Sequence, residues 1–342
     1  MSNIEHAARE HGFADADEMF KLVANVDVST PAKMVEFKNW KAKDGTRSGL
    51  EPETKVYHIL NLGAGVQSTA LYLMSMRQDE PELVPVFDFA VFADTQEEPD
   101  EVYKHLEWLK SLGGPPILEG TAGKLGEDLL SGKNTTGQNL TRFASIPTFC
   151  IGEDDVEPGR NKRQCTKEYK TEPVEKTIRQ GVLGLEKGGR INKNVRVIQY
   201  LGLSFDEPRR IIRVKERFSV IRWAEPRFPL FEMEMTRRGC VSYLETAAPG
   251  RKIPRSACVF CPFHDNTEWR AIRDNDPVGW ARACEIDDAL RAGGRMASGM
   301  NKKMFIHRSC VPLREAPIDT PESRGEQYTF GFTQECEGMC GV

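Results

Sequence analysis
The sharpest chemical spacing in the chain is Cys258-Val259-Phe260-Cys261-Pro262, two thiols separated by two residues and closed by a proline. That spacing lets both thiolates reach one metal centre from a single tight turn. Half a zinc site, a redox dithiol and part of an iron–sulfur cluster all use it. The redox reading is the poorest, because no strand leading into the pair and no helix opening on it is evident. Seven further cysteines, Cys150, Cys165, Cys240, Cys284, Cys310, Cys336 and Cys340, make nine in all. The start of the chain lacks the basic and apolar regions of an export signal. With an odd cysteine count, that favours thiols, metal ligands or redox chemistry over a disulfide framework. Cys240 and Cys284 read as small buried hydrophobes. The last pair stands in Glu335-Cys336-Glu337-Gly338-Met339-Cys340-Gly341. A thiol on such a tail can take a sulfur atom and be resolved by its neighbour. A second pair of metal ligands, or an inert terminus, is the alternative.

A second feature is the small-residue turn in Ile59-Leu60-Asn61-Leu62-Gly63-Ala64-Gly65-Val66-Gln67-Ser68-Thr69. Between a strand and a helix, such a turn exposes backbone N–H groups at the positive helix end, where phosphate or sulfate oxygens bind. Ser68 and Thr69 add hydroxyls in the first turn. It is not a Walker A loop, because no Gly-Lys-Ser/Thr follows. Asp94 and Thr95 close the next apolar run, and in an open α/β sheet the carboxyl ends of adjacent strands meet at the ligand crevice. Taken alone, Asp94 would be a helix cap. Lys167, Lys170, Arg209 and Arg210 are candidate counter-charges, arginine being suited to bidentate phosphate contact.

These residues need a frame. Residues 56–62 read as an apolar strand and 67–77 as a helix. Residues 84–92 read as a second strand, 100–112 as a helix with Val102, Leu106 and Leu109 at helical spacing, and 117–119 as a third strand. Alternation of this length means an α/β fold, a parallel sheet with crossover helices on both faces. Residues 131–163 read as a polar loop over the site. Residues 165–180 read as a helix, 195–204 as a further buried strand, and the chain beyond Pro312 as irregular. Residues 1–28 read as two short helices. Residues 29–52, with Lys33, Lys38, Lys41, Lys43 and Arg47 beside Phe37 and Trp40, are a basic arm or a solvated appendage. The expected division is 1–52 appendage, 53–235 nucleotide-binding domain, and 236–342 cysteine-rich region with tail. Hydrophobic residues at 39% supply a core. A formal net charge of −4 argues against a surface coated in cations for nucleic acid, leaving room for a local basic groove. No apolar run reaches the ~18–20 residues of a bilayer span. Cytoplasmic location is the default expectation, with no membrane partner. The oligomeric state stays open, a homodimer included.

The turn segment resembles the PP-loop of the ATP pyrophosphatases and the phosphoadenosine phosphosulfate (PAPS) reductases, whose pattern is Ser-Gly-Gly-Lys-Asp-Ser. Gly65, Ser68 and Thr69 match. Gly63 stands for the first Ser, Ala64 for a Gly, Val66 for the Lys and Gln67 for the Asp. Those two losses remove a phosphate counter-charge and a Mg²⁺ ligand, and they lean towards the reductase-like branch. Asp94-Thr95-Gln96-Glu97-Glu98-Pro99 resembles the family's Asp-Thr-Gly-x-Glu-Phe-Pro stretch, shortened by one residue. Cys165 to Pro173 resembles its Cys-x4-Lys-x2-Pro segment, and Gly202-Leu203-Ser204-Phe205-Asp206-Glu207-Pro208-Arg209-Arg210 its Gly-Ile-Ser-x-Asp-Glu-x-x-Arg segment. The resemblance covers roughly residues 58–342.

It implies a Rossmann-like PP-loop fold binding ATP or PAPS. The implied binding residues are Asn61, Gly63, Ala64, Gly65, Gln67, Ser68, Thr69, Asp94, Thr95, Lys167, Lys170, Ser204, Arg209 and Arg210. It implies a 4Fe-4S cluster, zinc being the alternative, on Cys165, Cys258 and Cys261. The family's double cysteine is here Gln164-Cys165, so Cys310, and after it Cys150, stands as the fourth ligand. Cys336 and Cys340 resemble the tail nucleophile of the PAPS reductases. The first functional expectation is nucleotide cleavage or activation at the α-phosphate with sulfur passed to a nucleic acid or a thiol carrier. The second is a PAPS or adenylyl-sulfate reductase. The third is a zinc-stabilised nucleic-acid-binding accessory protein.

Overall fold
Apolar runs alternating with helical periods fold into strand–helix units in the order expected. The structure, a computed structural model, describes residues 14, 15, 18, 19, 54–132, 146–151, 159–160, 164–292 and 302–319. The basic arm, nearly all of both N-terminal helices and the Cys336–Cys340 tail lie outside the described residues.

β1 (Lys55–Leu62) leads through the small-residue turn to α1 (Val66–Arg77), then to β2 (Phe89–Asp94), α2 (Asp100–Ser111), β3 (Ile117–Thr121) and α3 (Leu125–Ser131). β4 (Phe149–Ile151) and β5 (Gly159–Arg160) are short. A helical run from Cys165 to Val182 follows, with α4 (Glu172–Thr177) between two π-helical turns. Then come β6 (Val195–Leu201), α5 (Pro208–Phe218), β7 (Ala224–Arg227), α6 (Pro229–Glu232) and α7 (Arg237–Ala247). α8 (Asn266–Asn275), α9 (Pro277–Arg291) and β8 (Lys303–Phe305) complete the described chain.

Five strands form one sheet in the order β3-β2-β1-β6-β7, every pair parallel. Because side chains alternate across a strand, each strand feeds two cores. Ile59, Val91 and Val197 pack with Val174, Ile178 and Ile211 on one face. Leu60, Phe92 and Ile198 pack with Leu71, Leu106 and Leu244 on the other. Both faces carry helices, as a parallel sheet requires. A third core joins Leu125, Leu129 and Tyr169 to Trp269, Ile286 and Met304, and it contains Cys150, Cys258 and Cys284. A three-stranded antiparallel sheet, β5-β4-β8, flanks it. The expected boundary at 235/236 is thus crossed both ways: α7 packs on the central sheet, while Leu125 and Tyr169 belong to the cysteine-rich core.

Three expectations change. The second strand starts at Phe89, not at 84, because Pro85 has no N–H for a ladder and the segment is tied to α1 instead. Ser75 Oγ donates to the Pro85 carbonyl at 2.7 Å and accepts the Phe87 N–H at 2.9 Å. The polar stretch 131–163 contains β4 and β5, since Phe149–Ile151 pairs with Lys303–Phe305 from far along the chain. β6 stops at Leu201, where Gly202 meets the start of α1. A Cβ on Gly202 would lie 2.9 Å from the Ser68 backbone nitrogen. Gly202→Val should therefore destabilise the fold by about 1–3 kcal/mol through overpacking. Urea unfolding checks this, and an unchanged midpoint would refute the close approach.

Candidate functional site
Strand order reverses between β1 and β6, and open α/β sheets bind ligands at the carboxyl side of such a switch. The turn after β1 lies there. Gly65 caps α1 without a side chain, which leaves first-turn N–H groups for another acceptor. Gly63 N–H donates to Ser68 Oγ at 3.2 Å, and Ser68 Oγ donates to the Gly65 carbonyl at 3.3 Å. Ala64 takes a left-handed conformation, φ 58°, which a small side chain tolerates best. Thr69 Oγ1 lies 2.9 Å from His105 Nε2. The hydroxyls expected to reach a ligand therefore hold the turn and α2 in place, and both residues are buried.

Beside them, Gln67 Nε2 donates to Ser204 Oγ at 3.2 Å and to Glu207 Oε2 at 2.8 Å. The Ser204 N–H and Oγ donate to that same oxygen at 3.2 and 3.1 Å, and Arg210 pairs with Oε1. Arg237 Nη1 donates to Gln67 Oε1 at 3.0 Å. Asn61 Nδ2 donates to Gln199 Oε1 at 3.0 Å, buried between β1 and β6. Asp94 Oδ1 accepts the Gln96 N–H at 2.7 Å and the Tyr103 hydroxyl at 3.0 Å. Burial pushes the Asp94 carboxyl up, against those two hydrogen bonds.

One strand over, the carboxyl end of β2 holds the cysteine pair. Val259 N–H donates to the Glu97 carbonyl at 2.8 Å. Thr95 Oγ1 lies 3.2 Å from Cys258 Sγ. Glu98 accepts Lys170 Nζ at 3.2 Å on one oxygen and Ser256 Oγ at 3.2 Å on the other. The Glu97 carboxylate takes the Gly126 N–H at 3.0 Å and Arg282 Nη2 at 2.9 Å. The pair's own turn is shaped by Cys261 N–H on the Cys258 carbonyl at 2.8 Å, and by His264 Nε2–H on the same oxygen at 2.9 Å. Behind it, Arg255 pairs with Glu268 and donates to the Phe263 carbonyl at 3.1 Å. Burial alone would raise the Glu268 carboxyl, but His264 and Arg255 outweigh it and hold it at about 2.

Cys165 arrives from the helical run. Its π-helical turn, in which Glu172 N–H reaches back to the Lys167 carbonyl, carries residues five apart to one side. Cys165 and Lys170 thereby line one pocket with Cys258, Cys261 and Thr95, walled by Phe260 and Phe263. Among the described residues no three His, Cys, Asp or Glu stand close enough to share one ion. A polynuclear cluster needs no such convergence, because its thiolates bond different irons. Three thiols around a largely apolar pocket are the kind of donor set that such a cluster uses.

No protein-family model, no curated protein and no solved structure matches this chain.

Other expected residues go elsewhere. Lys167 is exposed, 3.9 Å from Glu172, and does not line the pocket. Arg209 is exposed on α5. Cys310 does not line the pocket either: its N–H is bound to the His307 carbonyl at 3.1 Å, and His307 Nε2 lies 2.9 Å from Asn266 Oδ1. Burial and the neighbouring Cys150 push the Cys310 thiol up. Cys336 and Cys340 lie outside the described residues. Missed were Glu207, the anchoring roles of Glu97 and Glu98, and Arg237. Arg237 and Arg238 open α7, where the helix dipole disfavours positive charge, and that mismatch was the one legible signal.

His105, which braces Thr69, tests the buried frame. Burial first, then the charge of Arg251, lowers its pKa to about 4 from 6.5. Between those values the unfolded chain binds the proton and the folded chain does not. This contribution to stability is complete above pH 6.5 and is lost as pH falls towards 4, on the order of 3 kcal/mol across the window. His105→Gln should flatten that slope in denaturant midpoints measured from pH 7 to 4.5. An unchanged slope would refute it.

Proposed function
We propose that this chain is a PP-loop adenine-nucleotide enzyme. It carries an iron–sulfur cluster on Cys165, Cys258 and Cys261, and it couples cleavage or activation at the α-phosphate to sulfur transfer. The observation that supports this most is the meeting of three cysteines from two distant segments at the end of β2. That strand adjoins β1, whose turn opens α1 without a side-chain cap. The bound cluster would supply redox-active, sulfur-lined iron. Lys170, paired with Glu98, lines the same pocket, and the Thr95 hydroxyl lies 3.2 Å from the Cys258 sulfur. The turn N–H groups stabilise charge developing at the α-phosphate. An external persulfide would pass its outer sulfur to the Cys336 thiolate and leave as a thiol. Cys340 would then attack the inner sulfur of the Cys336 persulfide, closing a Cys336–Cys340 disulfide that an external dithiol reduces and releasing sulfide for the activated nucleic-acid or thiol-carrier acceptor.

A second reading, a PAPS or adenylyl-sulfate reductase releasing sulfite, is favoured by the absence of the loop's Lys and Asp at Val66 and Gln67. Zinc remains the alternative metal.

Anaerobically purified protein should be brown, and Cys258→Ala or Cys261→Ala should abolish its visible absorption. A colourless protein with stoichiometric zinc would remove the cluster. Cys336→Ser separates the two enzymes, since a serine hydroxyl is hardly ionised and is a poor nucleophile towards sulfur. AMP release from ATP should survive it while sulfur transfer stops. Sulfite release from PAPS that depends on Cys336, without ATP cleavage, would establish the reductase instead.

A further inference from the structure
α5 divides its residues sharply between two sides. Ile211, Val214 and Phe218 are buried in the core shared with β1, β2 and β6. Among its remaining residues Arg209, Arg210, Arg213, Lys215 and Arg217 are cations and Glu216 alone is an acid, in a chain whose formal net charge is −4. Arg210 is taken up by Glu207, and Arg217 by Glu175. Arg209 and Arg213 stand exposed one helical turn apart, about 6 Å along the axis.

The cations continue past the helix. Arg222 is exposed in the turn before β7, and Val220, two residues before it, is 81% exposed. Lys193 is exposed just before β6, the strand with which β7 pairs. Because α5 connects two parallel strands, it crosses from the carboxyl edge of the sheet back to the amino edge. At the carboxyl edge the loop that leads into it touches the turn after β1, through Gly202 and the Ser68 backbone. Arg213 and Arg222 thus continue a line of cations that starts beside the candidate site at Arg209.

We propose that the outer face of α5, continued through Arg222, binds the phosphate backbone of a single-stranded nucleic acid and leads it to the candidate site. The inference rests on the sulfur-transfer reading above and deepens it, choosing nucleic acid over a thiol carrier as the acceptor. Two features favour that choice. Five of the six cations between residues 209 and 222 are arginines, whose planar fork matches paired phosphate oxygens where a lysine offers a point charge. Val220 adds exposed apolar surface beside them, which the splayed bases of a single strand can cover.

Fluorescence anisotropy of a labelled single-stranded oligonucleotide, titrated with the full chain across a range of salt, tests this. Arg213→Gln combined with Arg222→Gln should weaken binding about tenfold or more, the loss of two charge-assisted contacts. Each lost contact should also reduce the slope of log affinity against log salt by about 0.7. Arg213→Lys combined with Arg222→Lys should keep that slope, since both charges stay. Lys252→Gln, beside Glu101 on the other face of the sheet, should change nothing, and the melting shift with ATP should be equal in every variant. Unchanged affinity and slope in the double glutamine variant overturns the proposal, and so does equal loss in Lys252→Gln, which would spread binding over the whole surface. Wild-type protein that responds to ATP yet binds no oligonucleotide, or binds anionic phospholipid vesicles in its place, overturns this surface and leaves the adenine-nucleotide reading standing. Protein that binds neither ATP nor the oligonucleotide overturns both.

Discussion
Two adjacent carboxylates, Glu97 and Glu98, turn into the protein at the carboxyl end of β2, and each is more than nine-tenths buried. A buried carboxylate left unpaired costs several kcal/mol, so the fold must deliver partners to this point. Glu98 receives Lys170 and Ser256; Glu97 receives Arg282 and the Gly126 N–H of α3, while its carbonyl holds Val259. Those partners come from the helical run, the cysteine-pair loop, α9 and α3. Satisfying two charges therefore assembles four segments, and Cys165, Cys258 and Cys261 are brought together with them.

Such pairs specify geometry more than they add stability, because desolvation offsets much of the Coulomb attraction. Here the geometry is the useful product. The Lys170–Glu98 pair fixes a cation beside three thiols in a pocket with apolar walls, where a charge acts over a longer range than in water. The π-helical turn serves the same end, since an ordinary α-helix would carry Cys165 and Lys170 to different sides.

The neighbouring crevice is built on hydrogen bonds rather than buried ion pairs alone. Ser68, Thr69, Gln67 and Ser204 spend their polar groups on each other, on His105 and on Glu207. The two centres sit on adjacent strands, with Thr95 common to the end of β2 and the thiol pocket.

The frame was legible residue by residue. Apolar alternation at Ile59–Leu62 and helical spacing at Val102, Leu106 and Leu109 are short-range patterns, and they specified the parallel α/β sheet and the strand–turn–helix at Gly63–Gly65. Thiol spacing likewise marked Cys258 and Cys261. Local patterns carried no further than that. The partner of Phe149–Ile151 lies at Lys303–Phe305, so β4 was invisible in a polar stretch. Whether Lys167 or Lys170 enters the pocket depends on how the helix is wound, and both read alike as cations. Arg237 meets Gln67, and Cys310 is held off by His307 and Asn266, only through packing between distant segments. The sequence by itself determined the elements and the kinds of chemistry available. Which side chains share a site was decided by the tertiary structure, because burial of Glu97 and Glu98 and the reversal of strand order are properties of the assembled chain.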